Sequence, residues 1–345
     1  MQITKSENQY SQSWRWLVGC LLVLSLLLIG CEPLAPYEPT PVAVIITNTP
    51  TATVPPTSTP TPRPATATPS PTPTVEALPT QTQEPCLAEG GQWLDFTDNL
   101  SEVANENLRY RVYLPPCYFQ TQKRYPLVIL LHGLSYREQQ WDELGIDEAL
   151  DDGILRGRVA PMIIVNPYMG TIGQVNAFPP APSYETVITE ELLPEVQRNF
   201  CIWQDRDYRA IGGISRGGFW AYTIAMRNPD LFGIVGGHSA YFPGNLNEVP
   251  AEFNPLEIAT NTSYMLDADL RMYMDNGAAD SSGPSQQIMS TRLSERGIPH
   301  TYQVHAAGEH DNDYWAAHVA EYLLFYGDTW PKNADELPSC AEPSP

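Results

Sequence analysis

The stretch "YRAIGGISRGGFW", residues 208–220, decides the fold. Tyr208 to Ile214 reads as a buried strand, and the residues from Arg216 onward read as a helix that Pro229 would stop. Ser215 lies between the two, flanked by Gly213 and Gly217. Glycine costs conformational entropy, so the backbone must gain something from it there. A tight strand-to-helix turn forces its central residue into a strained conformation and brings neighbouring backbone very close. Glycine at 213 and 217 leaves room for that crossing. The turn would hold the Ser215 hydroxyl out at the C-terminal edge of a sheet, beside a helix N-terminus.

Working outward, short β-rich runs alternate with helical patterns, which predicts an α/β fold with a mostly parallel central sheet and helices on both faces. "LRYRVYLPP" (108–116) is an early strand, and "YPLVILLHG" (125–133) is a near-continuous apolar run, as expected of a strand buried on both faces. "PMIIVNP", "LFGIVGGHS", "LRMYMD" and "HTYQVHA" are further strands. "GIDEALDDGILRGR", "SYETVITEELLPEVQRNF", "SQQIMSTRLSERG" and "DYWAAHVAEYLLFYG" are helices, with Ser183 as N-cap of the second.

A serine nucleophile needs a base within hydrogen-bond reach and a carboxylate to orient that base. Of six histidines, His132 and His238 stand too early or too near in the chain, His300 and His305 belong to a strand, and His318 lies inside the last helix. His310, in a loop after the last strand with Gly308 to turn the chain, remains as the base. For the acid, the loop after "LRMYMD" ends at Asp280, with Asp275 as the alternative at the strand end. The oxyanion hole needs two convergent backbone donors. Arg216 N–H, directly after the serine, and Leu134 N–H, in the loop after the early buried strand, are the candidates. Trp141, Tyr168, Trp220, Tyr241 and Trp315 fall near the expected strand ends and are candidates to line a substrate pocket.

"YLPPCY", "YPLVILLHGL", "APMIIVNP", "GGISRGG", "NPDLF", "DNGAAD" and "GEHDNDYW" together resemble the esterase family of α/β-hydrolases. That family includes feruloyl and acetyl-xylan esterases, enterochelin esterases, S-formylglutathione hydrolases and mycolyltransferases. The resemblance spans about 110 to 326. Carried over by position, it implies Ser215 as nucleophile, Asp280 as acid and His310 as base, acting by acyl transfer with no metal or organic cofactor. Arg216 departs from the pattern, where relatives often carry Met, Leu or Gln; pairing with one of the chain's many acids is the expected role. Residues 167–183 are poorly determined by the resemblance and are expected to shape the pocket.

The 345-residue chain does not fold throughout. Lys5 and Arg15 precede an apolar run from Leu17 to Gly30 that is short for a membrane span and suits a signal peptide. It ends in "LIGC", which resembles a bacterial lipobox, so 1–31 is read as a lipoprotein signal with Cys31 as the lipidated residue. Residues 32–85 are a Thr/Pro-rich linker with no apolar face to build a core. The remaining segment, 86–345, carries 35 acidic and 16 basic residues, a net charge of −19, which argues against nucleic acid and against direct adhesion to anionic lipid. Its four cysteines, Cys86, Cys117, Cys201 and Cys340, suggest two disulfides in an exported protein, and the expected pairs are Cys117–Cys201 and Cys86–Cys340. With no CxxC pair and no HExxH, no metal site is expected.

These readings predict a cell-surface, lipid-anchored serine esterase, acting on an extracellular ester such as a feruloyl or acetyl ester of a polysaccharide. The alternatives are an acyltransferase to a sugar or lipid alcohol, and a non-catalytic surface binding protein. A receptor, however, has no need of a strained glycine-flanked serine.

Overall fold

The computed structural model describes residues 85–98 and 100–341. The chain divides into two units, 1–76 and 77–345, and every described residue lies in the second. The expected signal, Cys31 and most of the linker fall outside the described residues.

Among those residues, eight strands form one sheet. They are β1 (Gln92–Phe96), β2 (Tyr110–Leu114), β3 (Leu127–Leu131), β4 (Ile163–Pro167), β5 (Arg209–Ile214), β6 (Ile234–His238), β7 (Arg271–Gly277) and β8 (Thr301–His305). Their spatial order is β1-β2-β4-β3-β5-β6-β7-β8. β2 pairs antiparallel with both neighbours, and every other pairing is parallel. The sheet is therefore doubly wound, and β5, followed at once by Ser215, is central. No described helix is long and apolar enough to cross a membrane.

The pleat of β3 shows why its sequence is apolar throughout. Leu127, Ile129 and Leu131 join the core on one face, while Val128 and Leu130 join the core on the other. The first core is closed by α3 (Arg216–Arg227), which follows α1 (Ile146–Leu155) and α2 (Leu193–Asn199) in the chain. The second is closed by α1 and by α5 (Asn312–Gly327), which comes after α4 (Gly283–Glu295). Ser183 caps its helix by accepting from Glu185 N–H. The six residues after that first turn, Val187–Leu192, are wound as a π-helix, ahead of a proline in the first turn of α2 that has no N–H for the usual ladder.

The disulfides pair differently from the expectation. Cys86 bonds Cys117 and Cys201 bonds Cys340. β2 runs against the parallel strands, so Cys117, three residues beyond it, emerges at the edge where the parallel strands begin. The start of the described chain meets it there. Cys201 precedes β5 and its carbonyl accepts from Tyr125 N–H, while the C-terminal tail runs along the same edge through Arg124 N–H to Pro338 O and Cys340 N–H to Gln122 O. Each terminus is thus stapled to the part of that edge against which it lies.

Candidate active site

Ser215 has φ 55° and ψ −112°, a region that L-residues rarely occupy. The surrounding crossing explains the glycines. A Cβ on Gly213 would lie 2.4 Å from the Gly217 carbonyl carbon, and one on Gly217 would lie 2.4 Å from the Leu131 oxygen and 2.6 Å from that of His132. These are backbone atoms of β3 and the turn itself, with nowhere to move. The tight start of α3 therefore brings Gly217 against the end of β3 and His132.

The serine side chain meets His310, with Ser215 Oγ 2.9 Å from His310 Nε2, and His310 Nδ1 is 2.9 Å from Asp280 Oδ1. An ionised carboxylate only accepts, so Nδ1 carries the proton and Nε2 is left to accept from the hydroxyl. Asp280 follows β7, and its Oδ1 also accepts from Ser282 N–H and Ser282 Oγ–H, each at 2.7 Å. The loops carrying acid and base are tied together. Ala279 N–H bonds Gly308 O at 3.1 Å, Gly308 adopts φ +114°, and a Cβ on Gly277 would sit 2.3 Å from the Gly308 oxygen. Trp315 supports the imidazole from behind, edge to face at 5.2 Å, and donates Nε1–H to Ser239 Oγ.

Burial raises the Asp280 carboxyl pKa, but hydrogen bonds from His310, Ser239 and Ser282 outweigh it and hold the pKa down to about 2. With the folded value below the ordinary one of about 4, the linked stability is present above pH 4 and is lost as pH falls through 2. The side chain is fully buried, so the contribution is on the order of 2 kcal/mol. In chemical-denaturation series between pH 5 and pH 2, wild type is expected to lose more stability than Asp280→Asn by about that amount. Parallel curves would count against it.

The alternative acid, Asp275, serves another group. It is fully buried inside β7, bonded to His238 Nδ1 at 2.8 Å, Tyr314 Oη at 2.5 Å and Tyr322 Oη at 3.1 Å. His238 Nε2 in turn meets Tyr326 Oη. Burial and the Asp275 charge push the Tyr322 and Tyr326 hydroxyls well above their ordinary pKa, so this polar cluster beneath the triad stays hydrogen-bonded. His132 is also structural, with Nδ1 donating to Gly133 O and Nε2 accepting from Met169 N–H. Gly133 N–H is committed to Gln140 Oε1, and Leu134, next in the same loop, is half-exposed.

Three of the five expected pocket aromatics do not line a pocket. Trp141 and Trp220 are completely buried: the first donates to Leu131 O beneath the sheet and the second to Gly173 O behind α3. Trp315 is buried behind His310. Proximity to strand ends did not say which face a ring takes. Tyr168 is half-buried, stacked on His132 under Arg109, and Tyr241 is 52% exposed with its N–H 3.3 Å from Ser215 O. Among the described residues Arg216 pairs with no acid either. Its guanidinium bonds Gly173 O, Val175 O and Asn176 Oδ1 over the faces of Phe219 and Trp220, and burial brings its pKa down to about 10. It pins the 173–176 loop beside the serine. Ser239 and Ser282 were not singled out from sequence, although "DSSG", starting at Asp280, carries the Asx-turn signature that places Ser282 N–H on the carboxylate.

A central parallel sheet with a strained serine turn after its fifth strand, and acid and histidine loops later in the chain, is the architecture of the α/β-hydrolases. The family described as "Putative esterase" matches residues 101–326. The chain belongs to this esterase family. Among curated proteins it is 30% identical over 165 residues to an endo-1,4-beta-xylanase/feruloyl esterase of Xylanibacter ruminicola, covering 44% of this chain and 22% of that protein. It is 32% identical over 134 residues to an esterase of Mycobacterium tuberculosis, covering 37% of this chain and 28% of that one. The chain thus spans less than a third of the length of either relative. A solved ferulic acid esterase superposes with a TM-score of 0.62 at 27% identity, over 69% of this chain and 98% of its own.

Proposed function

We propose that this protein is an exported serine carboxylester hydrolase that works through an acyl-enzyme and takes hydroxycinnamoyl esters, such as feruloyl groups on an extracellular polysaccharide. The observation that carries the reading is the unbroken line from Asp280 Oδ1 through His310 to Ser215 Oγ, with both hydrogen bonds at 2.9 Å. In this mechanism Ser215 attacks the ester carbonyl as its proton passes to His310 Nε2. Asp280 stabilises the imidazolium, and the N–H groups of Leu134 and Arg216 hold the oxyanion. His310 then protonates the leaving alcohol, and water activated by the same imidazole releases the acid. No step requires a metal. Export to an oxidising compartment, by a lipoprotein signal ending at Cys31, is supported by two disulfides. The feruloyl preference is supported by the named relatives and by Tyr241 and Leu134, whose half-exposed apolar surfaces adjoin the serine and its facing loop.

The test is turnover of methyl ferulate and 4-nitrophenyl acetate, combined with a fluorophosphonate probe and peptide mapping. Hydrolysis of both esters with the probe on Ser215 is the expected result. Modification elsewhere, or a folded chain that hydrolyses neither ester, would sink the mechanism. Acetate turnover without ferulate turnover would remove only the substrate class.

A further inference from the structure

Outside the triad, one trio of side chains among the described residues has the composition of a metal site: His305 at the end of β8, and His318 and Glu321 on α5. Their ligand atoms all lie within 4.8 Å of one another. His318 and Glu321 are three apart in a helix and so share one face, the face turned towards β8. The His305 and His318 rings are 3.9 Å apart, and His305 Nε2 is 3.5 Å from Glu321 Oε2. Ligand atoms on a tetrahedral zinc are separated by about 3.3 Å, as follows from bonds of about 2.0 Å. The trio is within a small side-chain adjustment of that spacing.

The outer partners decide which atoms point inward. His318 Nδ1 donates to Tyr314 O at 2.7 Å, which fixes the tautomer and leaves Nε2 with its lone pair free. Glu321 Oε1 accepts from Tyr273 Oη–H at 2.6 Å, which orients the carboxylate and leaves Oε2 towards His305. His305 Nε2 is a buried nitrogen with no hydrogen-bond partner. A ligating histidine held by a backbone carbonyl through its other nitrogen, and a ligating carboxylate held by a hydroxyl, are the outer-sphere arrangements that metal sites use. A plain ion pair would not need the second imidazole.

We propose that His305 Nε2, His318 Nε2 and Glu321 Oε2 form a binding site for one divalent first-row transition ion, zinc before others. Two imidazoles and one carboxylate suit Zn²⁺, whereas Ca²⁺ and Mg²⁺ require oxygen-rich ligand sets. The site has a structural role. His305 closes β8, and α5 begins at Asn312, so the segment between them is the loop that carries His310. An ion bridging β8 and α5 would clasp both ends of that loop without touching the reacting atoms.

The experiment uses the full chain, stripped with chelator and titrated with Zn²⁺ by calorimetry, with thermal unfolding as second readout. One ion per chain is expected, with a rise in Tm of roughly 5–10 °C at a hundredfold excess over Kd. His318→Gln and Glu321→Gln should weaken binding by more than about a hundredfold, beyond what loss of an outer-sphere partner costs. Glu321→Gln keeps an oxygen for Tyr273, so its metal-free Tm should match wild type. His310→Gln, which removes the triad imidazole, should leave the stoichiometry at one. Failure of wild type to bind, or binding that survives both His318→Gln and Glu321→Gln, would overturn the site. Loss of binding in His310→Gln would place the ion at the triad instead and overturn it equally.

Discussion

Replacing Ser215 with alanine is expected to lower kcat for 4-nitrophenyl acetate by about 10⁴- to 10⁶-fold while leaving KM and the unfolding midpoint nearly unchanged. The size follows from what the oxygen does. It is the atom of Ser215 that hydrogen-bonds His310, at 2.9 Å, and in the proposed mechanism no covalent intermediate forms without it. The strained backbone at φ 55° persists in the variant, because the turn is held by Ser215 N–H to His238 O and by the packing of the glycines. Backbone donors therefore stay in place, and a residual rate above the uncatalysed one should remain. Equal turnover in the variant would remove Ser215 from the mechanism. A drop shared with a large fall in Tm would mean that the hydroxyl supports the fold.

The second large effect is expected at a residue with no side chain. Gly217→Ala would put a methyl group 2.4 Å from one carbonyl oxygen of the β3 end and 2.6 Å from the next. The first is held by the sheet, because Leu131 is paired with Gly213 of β5. Helix α3 must then shift away, at a cost of about 3 kcal/mol or more, read as a fall in Tm of roughly 6–12 °C. The shift also displaces Ser215, the N-cap of α3, from His310, so kcat should fall more steeply than stability alone explains. Calorimetry and initial rates on the same preparation decide it. An alanine variant with wild-type Tm would show that the crossing has slack.

Much of this architecture was legible in the chain because it depends on short-range pattern. β3, and β5 beyond Arg209, are apolar since each is covered on both faces, and the serine turn needs its glycines within two residues of Ser215. β1 was missed. "QWLDF" is an edge strand whose residues are all exposed or half-buried, so it carries no apolar signature. Chain order could not separate Asp280 from Asp275, since both lie between Ser215 and His310; only their place did, one in the loop and one at the strand end. What distinguishes them is tertiary: Asp275 turns into the sheet towards His238, and Asp280 turns out towards His310. The disulfide pairing and the burial of Trp141 and Trp220 were hidden for the same reason, since each depends on which distant segment arrives beside it.

The Cys86–Cys117 bond also determines how the molecule bears a mechanical load. A pull applied ahead of Pro85 would otherwise act on β1, an edge strand of five residues paired on one side only, and could peel it away rung by rung. The covalent link reroutes tension past the segment between the two cysteines, 31 apart in sequence, and delivers it beside the end of β2, which is laddered to both β1 and β4. The weakest rim of the sheet is thereby taken out of the force path. A domain drawn by its leading end, as on a substrate surface under flow, would yield only by shearing an interior ladder.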